Sequence, residues 1–237
     1  MGRINLGVLI LFVCLSHASP QSEYQSQYEI ESFTFSLHWP VTVCKVWTNI
    51  LHPGGQCVFP RKPNYWTVHG LWPKVINKPE GYCNDSWPLD RELMDLLEIK
   101  LNQTWINIYK ESDHYSLWDH EWRKHGTCAA SLQSLNTQFK YFNKGINWKH
   151  KYSIGRMLVR AGIFPSDTKP LTPDDVVHAV KAITKKLPQI VCATVLEVQY
   201  LDEVRICLDK VLNITDCNPV IFHTCDKNKG IIYPATV

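Results

Sequence analysis

Eight cysteines after residue 20 constrain the fold of this chain more than any other feature of its sequence. They are Cys44, Cys57, Cys83, Cys128, Cys192, Cys207, Cys217 and Cys225, and a ninth, Cys14, lies in a predicted secretory leader. In an exported chain an even set of cysteines indicates disulfide bonds, although their spacing does not choose among the possible pairings. No CxxC pair is present, which argues against a zinc ribbon or a thiol redox site. We therefore expect a domain stapled by four disulfides.

Residues 1–19 have the pattern of a signal peptide. Arg3 supplies the positive start, residues 6–15 are apolar, and residues 16–18 end in small side chains suited to cleavage. The alternative is an N-terminal buried helix. The apolar run is too short to span a bilayer, and no later segment is long enough. We therefore predict that residues 20–237 are exported as a single domain that does not insert into a membrane.

Three N-glycosylation sequons agree with export, and they begin at Asn84, Asn102 and Asn213. One such triplet would be expected by chance, whereas three together with a leader favour the secretory pathway. The chain is therefore expected either outside the cell or in the endolysosomal lumen. The sequence does not distinguish between these two locations.

The net charge of the chain is too small for a general nucleic-acid-binding protein. It is formally +3 with histidine neutral, whereas such proteins owe their affinity to many phosphate contacts. The chain also has ten histidines. Their protonation at acidic pH would make the protein markedly cationic, so the charge argument applies only near neutral pH.

The hydrophobic pattern predicts an α+β fold. Alternating or apolar stretches predict strands at 33–39, 65–72, 191–198 and 204–208, while helical spacing predicts helices at 89–105, 131–143, 153–161 and 172–187. The last helix has the strongest start, because Thr172 can cap it, proline follows, and two acids occupy the first turn. Helices in the middle and strands at both ends favour a central, largely antiparallel sheet packed with several helices.

Titratable residues are concentrated in segment 118–128, whose sequence is Trp-Asp-His-Glu-Trp-Arg-Lys-His-Gly-Thr-Cys. At about 100° per residue, a helix here would place four of them within about 140° on one face. These four are His120, Glu121, Lys124 and His125, and the helix would turn Trp122 and Arg123 to the other side. Such a cluster costs stability unless its charges are paired, so it favours a functional site.

Two alternatives for this segment need no such site. A charge run is usually a solvated surface, but the tryptophans and the cysteine beside this one indicate partial burial. A zinc protease would carry its two histidines at i and i+4, in the motif H-E-x-x-H. His120 and His125 are instead five residues apart, so a metalloprotease is not predicted.

Residues 67–73 are the second informative stretch, with the sequence Thr-Val-His-Gly-Leu-Trp-Pro. On an alternating strand His69 would share a face with Thr67 and Leu71, and Gly70 would allow a close approach by another group. A single histidine on a strand is more often a satisfied core residue. Its combination with segment 118–128 is what favours a two-part site.

Segments 69–73 and 120–128 together resemble the two active-site segments of the ribonuclease T2 family, the secreted acid ribonucleases of fungi, plants and animals. They occur in the family's order and roughly fifty residues apart, and the resemblance extends over about residues 33–225. It implies an endoribonuclease that cleaves single-stranded RNA through a 2′,3′-cyclic phosphate to 3′-phosphate ends, without a metal or another cofactor. DNA lacks the 2′-hydroxyl and is not an expected substrate. The eight cysteines suit an animal member.

The resemblance also implies roles for the clustered residues. His125 would be the general base and His69 the general acid of transphosphorylation, with the roles reversed during hydrolysis of the cyclic phosphate. The sequence alone does not orient the substrate, so it leaves this assignment open. His120 would anchor phosphate, and Glu121 and Lys124 would stabilise the transition state.

Trp72 is the expected stacking platform for a base or ribose, because aromatic side chains commonly bind single-stranded RNA. The alternative for Trp72 is a core tryptophan. Several family members carry an acidic residue just after the Gly-Leu-Trp-Pro run, where this chain has Lys74. We therefore do not assign a base preference from the sequence.

The resemblance further implies the disulfide pairs Cys44–Cys57, Cys83–Cys128, Cys192–Cys225 and Cys207–Cys217. The second pair would join the end of the helix at 118–128 to the segment after the His69 strand. A staple at that point would hold the two parts of the site in register.

Two other functions remain open. One is a secreted signalling or binding protein in which the ribonuclease scaffold acts independently of catalysis, and the requirement for His69 and His125 would distinguish it from an enzyme. The other is a carbohydrate-binding module, which only the tryptophan content supports. No feature of the sequence predicts an oligomer, so a monomer is the default expectation.

Overall fold

The computed structural model describes residues 28–60, 65–76, 81–217 and 222–237. The predicted leader, residues 1–19 with Cys14, lies outside the described residues, and its cleavage stays a prediction. Within the described ranges, no helix has the length and apolar character needed to cross a membrane.

Strands and helices have the following bounds. The strands are β1 (Ile30–His38), β2 (Thr67–Val75), β3 (Pro170–Leu171), β4 (Gln189–Val195), β5 (Val198–Asp209), β6 (Ile214–Thr215), β7 (Phe222–His223) and β8 (Ile231–Ile232). The α-helices are α1 (Pro40–Val46), α2 (Arg91–Thr104), α3 (Ser116–Glu121), α4 (Thr127–Ala129), α5 (Gln138–Lys151), α6 (Ile154–Arg160) and α7 (Pro173–Thr184), and π-helical turns occupy Trp47–Leu51 and Trp122–Gly126.

The sheet confirms the predicted α+β class. Its main strand order is β2-β1-β5-β4-β7, and the long pairs β1–β2, β1–β5 and β4–β5 are all antiparallel. Only the short β7 and β8 pair in parallel with β4 and β5 among the described strands. The sheet is therefore largely antiparallel, as the element order predicted.

Strand β1 separates an apolar face of the sheet from a polar one. Phe33, Phe35 and Leu37 are fully buried on the apolar face, and the Phe35 ring packs edge-on against Trp148 of α5 with 5.5 Å between centroids. Ser36, Thr34 and His38 alternate with these residues and point to the opposite face. Because β1 lies between β2 and β5, its polar face is the centre of the surface on which the candidate site is built.

The register between β1 and β2 is broken at His69. Ser36 pairs with Gly70, whereas Leu37 pairs with Val68, so that His69 is an extra residue in β2. A bulge of this kind re-aims a side chain. It also corrects our prediction, because Leu71 lies on the core face with Val68 and does not share a face with His69.

Buried side chains satisfy the backbone of β2 beside this bulge. β2 is at the edge of the main sheet, so one side of it has no neighbour among the described strands. The Trp105 indole Nε1 donates to the carbonyl oxygen of His69 over 2.8 Å, and the Tyr141 hydroxyl donates to the carbonyl of Leu71 over 2.9 Å. Unpaired buried carbonyls are costly, so these bonds from α5 and the end of α2 stabilise the bulged strand.

The helix boundaries confirm some predictions and correct others. α2 begins after Asp90, whose side chain accepts a bond from the Leu93 amide over 3.1 Å, and α7 begins at the predicted cap Thr172 with a complete capping box. The helix predicted at 131–143 begins only at Gln138, because Thr137 provides the cap, and it extends to Lys151. α1 was not predicted, although Pro40 occupies its first turn.

The described residues form four disulfides. They are Cys44–Cys57, Cys83–Cys128, Cys192–Cys225 and Cys207–Cys217, the same pairs that the resemblance implied. Next to the second bond, the Tyr82 amide donates to the Lys124 carbonyl over 2.9 Å. The chain after β2 is thereby fixed to the turn that carries Lys124.

Candidate active site

A change of helix type brings the two histidines of segment 118–128 together. α3 ends at Glu121 and continues as the π turn Trp122–Gly126, in which the Thr127 amide donates to the Trp122 carbonyl five residues earlier. A π turn brings residues five apart closer together than an α-helix does. The rings of His120 and His125 are accordingly 6.1 Å apart between centroids. The regular α-helix that we predicted is therefore wrong at this point.

Trp122 and Gly126 form the inner side of this turn. Trp122 is fully buried, and its indole Nε1 donates to the carbonyl of Trp87 over 3.0 Å. A Cβ on Gly126 would lie only 2.2 Å from the Trp122 ring. Glycine at this position therefore lets the chain pack closely against the tryptophan.

The structure brings all six predicted site residues to one cleft. Its volume is about 640 Å³, and its lining includes His69, Trp72, His120, Glu121, Lys124 and His125. The lining also includes Thr34, Arg205 and His223, which sequence reasoning missed. Thr34 lies on β1, Arg205 on β5 and His223 on β7, and the pairing that brings these strands together cannot be read from local patterns.

His69 is bonded to a buried carboxylate. Its Nδ1 lies 2.5 Å from Glu203 Oε1, and its ring stacks on His38 with 5.3 Å between centroids. Burial alone would lower the pKa of His69, but the charge and the hydrogen bond of Glu203 outweigh burial and raise this pKa to about 9. His69 is therefore a protonated imidazole at neutral and acidic pH.

His125 has the opposite electrostatic environment. Burial, followed by the positive charges of Lys124 and His120, lowers the pKa of His125 to about 3. Burial and Lys124 also lower the pKa of His120. The ring of Trp72 lies 5.5 Å from that of His125 and 5.0 Å from that of His69, between centroids. The protonated imidazole of His69 and the neutral imidazole of His125 thus both lie close to the Trp72 ring.

Glu121 is a buried carboxyl group at the base of the cleft. It is 1% exposed, and its Oε2 accepts a bond from the Trp72 indole over 3.0 Å. Burial raises the pKa of Glu121 to about 7, although the charge of His69 and the bond from Trp72 partly offset this effect. At mildly acidic pH the side chain is therefore a neutral hydrogen-bond donor.

Replacing Gly70 with alanine is expected to break the bond between Trp72 and Glu121. A Cβ on Gly70 would lie 2.0 Å from Trp72 Nε1 and 2.2 Å from Glu121 Oε2, so both side chains would have to move. Overpacking of this kind costs about 1–3 kcal/mol. Urea unfolding of Gly70→Ala with tryptophan fluorescence would measure the cost. A variant with wild-type stability and an unchanged tryptophan spectrum would contradict the packing described for this site.

Three side chains of the cleft could also hold a metal ion. Ligand atoms of His120, Glu121 and His125 all lie within 4.8 Å of one another. A cation bound there would occupy the imidazole lone pair that a general base needs. Any assay of proton transfer at this site therefore requires a chelator.

Comparison with known proteins identifies the fold as that of a ribonuclease family. The Ribonuclease T2 family profile matches residues 30–217. Ribonuclease Oy of Magallana gigas is 36% identical over 209 residues, which cover 85% of this chain and 95% of that protein. Ribonuclease T2 of Homo sapiens is 34% identical over 210 residues, covering 86% of this chain and 76% of that protein.

A solved structure shows the same architecture. The crystal structure of RNase NT in complex with 5′-AMP has a TM-score of 0.72 and 25% sequence identity, over 87% of this chain and 98% of that chain. This chain therefore belongs to the ribonuclease T2 family. It is by class an endoribonuclease.

Proposed function

We propose that this endoribonuclease cleaves single-stranded RNA by acid–base transphosphorylation that needs no metal ion, with His125 as the base and His69 as the acid. The observation that carries this proposal is the opposite pKa shift of two histidines in one cleft, with that of His69 raised to about 9 and that of His125 lowered to about 3. Acid–base catalysis requires one proton donor and one acceptor at the operating pH. These shifts favour the assignment that the sequence alone left open.

In the first step, neutral His125 takes the proton of the ribose 2′-hydroxyl. The 2′-oxygen attacks phosphorus, the bond from phosphorus to the 5′-oxygen breaks, and His69 gives its proton to that leaving oxygen. The products are a 2′,3′-cyclic phosphate and a free 5′-hydroxyl. In the second step the roles reverse. Neutral His69 takes a proton from water, the water oxygen attacks phosphorus, the bond from phosphorus to the 2′-oxygen breaks, and protonated His125 gives its proton to that 2′-oxygen. The cyclic phosphate becomes a 3′-phosphate.

Three other residues of the cleft support the phosphorane that forms in each step. Lys124 and His120 line the same cleft as the two histidines and are placed to bind phosphate oxygens. Glu121 is protonated below about pH 7, so it can donate a hydrogen bond to the same phosphate. Preorganised donors of this kind stabilise charge that develops in the transition state.

Trp72 and Arg205 form a platform for the nucleotide. The Arg205 guanidinium lies 5.1 Å from the centroid of the Trp72 ring, and both residues line the cleft. Stacking on an aromatic ring binds any base, since every base has a π-face. The complex of RNase NT with 5′-AMP supports nucleotide binding in this fold.

We also propose that the mature protein, residues 20–237, is exported or delivered to the endolysosomal lumen. The leader pattern and the three sequons support this location. Asn213 is an exposed residue, and Asn84 and Asn102 are partly exposed, so all three are proposed as glycan sites. An acidic lumen would suit a site in which His69 and Glu121 both need their protons.

Incubation of purified protein with single-stranded RNA from pH 4 to 8, in the presence of a chelator, tests the proposed reaction. We expect faster cleavage at acidic pH, because His125 is neutral and Glu121 protonated between about pH 3 and pH 7. The early products should carry 2′,3′-cyclic phosphates. A matched strand with 2′-deoxyribose throughout is the control and should stay intact. Loss of cleavage on chelation, or cleavage of the deoxy strand, would overturn the mechanism.

A further inference from the structure

We propose that Glu203 is the positioning residue that orients the ring of His69 and keeps it ready to donate a proton. This inference rests on the proposed function, in which His69 is the general acid. Glu203 lies outside the two segments that carry the proposed catalytic groups. It comes from β5, more than a hundred residues after His69 in the chain.

The contact between the two side chains fixes which nitrogen of His69 can react. Nδ1 of His69 is 2.5 Å from Glu203 Oε1, so this nitrogen donates to the carboxylate and is not available to the substrate. Nε2 is the remaining nitrogen. The partner of one imidazole nitrogen sets the proton position and the reactivity of the other. Proton donation to RNA therefore occurs from Nε2, with Glu203 behind the ring.

Glu203 is held in turn by two other side chains. Its Oε2 accepts bonds from the Ser36 hydroxyl over 2.9 Å and from Arg205 Nε over 2.7 Å, and the residue is 5% exposed. Burial alone would raise the pKa of Glu203, but His69 and Arg205 outweigh burial and lower it. The carboxylate is thus ionised, and it cannot rotate away from His69 without losing a bond.

The other charged groups around His69 do not replace this contact. On β1, His38 stacks on the ring, and burial and His69 lower the pKa of His38 to about 3, so it is neutral. On β5, Asp202 raises the pKa of His69 less than Glu203 does, and burial raises the pKa of Asp202 itself. On the side of α3 and the π turn, the groups facing the cleft are Glu121, His120, Lys124 and His125. Glu203 is therefore the ionised carboxylate that can hold a proton on His69.

Glu203 does not line the cleft in which RNA is proposed to bind, so its positioning role can be distinguished from substrate binding. Glu203 lines a smaller cavity of about 150 Å³ on the other side of His69, together with His38 and Asp202. It is not among the residues that line the larger cleft. A change at Glu203 should therefore act on kcat, through His69, with little effect on KM for RNA.

The test is an NMR titration of His69 in isotopically labelled full-length protein, wild type and Glu203→Gln. In the wild type we expect Nδ1 to be hydrogen-bonded and the titration midpoint to lie at about pH 9, the pKa given by the environment of His69. Glutamine keeps the shape of the side chain but removes its charge. The midpoint in Glu203→Gln should fall to about pH 6.5 or below, the ordinary histidine range. At pH 7 kcat should drop at least about fourfold relative to pH 5, because a midpoint at or below pH 6.5 leaves at most about a quarter of His69 protonated at pH 7, with KM nearly unchanged.

Asp202→Asn is the matched control, since it makes the same chemical change at the neighbouring residue and leaves the bond between His69 and Glu203 intact. Its midpoint should stay well above pH 6.5. An unshifted midpoint in folded Glu203→Gln, or an equal shift in Asp202→Asn, would overturn the inference. If Glu203→Gln does not fold, the His69 titration of the wild type is the test. A wild-type midpoint near or below pH 6.5 would then reject the inference. The titration needs no RNA, so it is independent of the proposed cleavage reaction. Failure of that reaction alone would appear as a wild type that does not cleave RNA but whose His69 still titrates at about pH 9.

Discussion

His125→Ala and His69→Ala are each expected to lower kcat/KM for single-stranded RNA by about 10²–10⁴-fold, the usual contribution of a positioned acid or base. Both rings line the cleft, and each is proposed to move one proton in the same step. The double variant should lose little more than the worse single variant, because residues that act as a unit are not additive. Single-turnover cleavage of a short oligonucleotide at pH 5 would measure all three.

A substrate with a better leaving group shows which histidine is the general acid and which is the general base. If the 5′-linked nucleoside is replaced by nitrophenolate, the leaving oxygen needs no proton. His69→Ala should then recover most of the lost rate, whereas His125→Ala should stay slow because the 2′-hydroxyl still needs a base. His178, an exposed residue of α7, provides the control substitution His178→Ala, which should behave as wild type. Recovery by His125→Ala instead would reverse the assignment, and full activity in both variants would favour a scaffold that acts without catalysis.

The broad fold was predictable because its determinants are local. Alternation in β1 reflects one apolar face that packs against α5, and the buried residues Phe33, Phe35 and Leu37 follow it with a period of two. α7 was predictable for a similar reason, since its cap and first-turn acids all lie within four residues of Thr172. Features of this kind carry their own signal in the sequence.

The hairpin between β4 and β5 could not be predicted in this way. Leu196 and Glu197 form its turn with φ values of 49° and 67°, a conformation for which glycine, asparagine or aspartate is the usual signal. An exposed leucine followed by a glutamate gives no such signal. The sequence therefore read as a strand through residues 191–198, and the start of β5 was placed too late. Pairing along the long β4–β5 ladder determines the turn here, and that pairing is not local.

In the candidate site, too, some features were predictable from the sequence, and others depend on contacts between distant parts of the chain. The resemblance of residues 69–73 and 120–128 to the two active-site segments of the family grouped His69 with segment 118–128, and the structure places these groups in one cleft. Spacing could not reveal the bulge at His69 or the π turn after Glu121, because both depend on packing against other elements. It also could not reveal Glu203, whose bond to His69 exists only because β5 pairs with β1. The sequence therefore did not reveal the packing and hydrogen bonds that position the site residues.

Glu121→Gln is expected to change the pH dependence of cleavage more than its rate at acidic pH. Burial raises the pKa of Glu121 to about 7, so the side chain is neutral below that pH and becomes a buried anion beside the scissile phosphate above it. For the wild type, kcat/KM should therefore fall as the pH rises through about 7, reaching roughly a tenth of its acidic value one pH unit higher. Glutamine stays neutral at every pH and can still accept the bond from Trp72. Its profile should remain flat until His69 loses its proton.

A pH–rate profile of kcat/KM from pH 4 to 9 for wild type and Glu121→Gln would measure this difference. Glu98→Gln is the matched control, since Glu98 is a carboxylate of α2 that is 44% exposed and does not line the cleft. Its profile should overlay that of the wild type. The same decline above pH 7 in Glu121→Gln would show that another group controls the alkaline side. His69 would then be the first residue to examine, because the proposed reaction needs its proton as well as that of Glu121. If His69 controls the decline in kcat/KM, Glu203→Gln should shift that decline to lower pH.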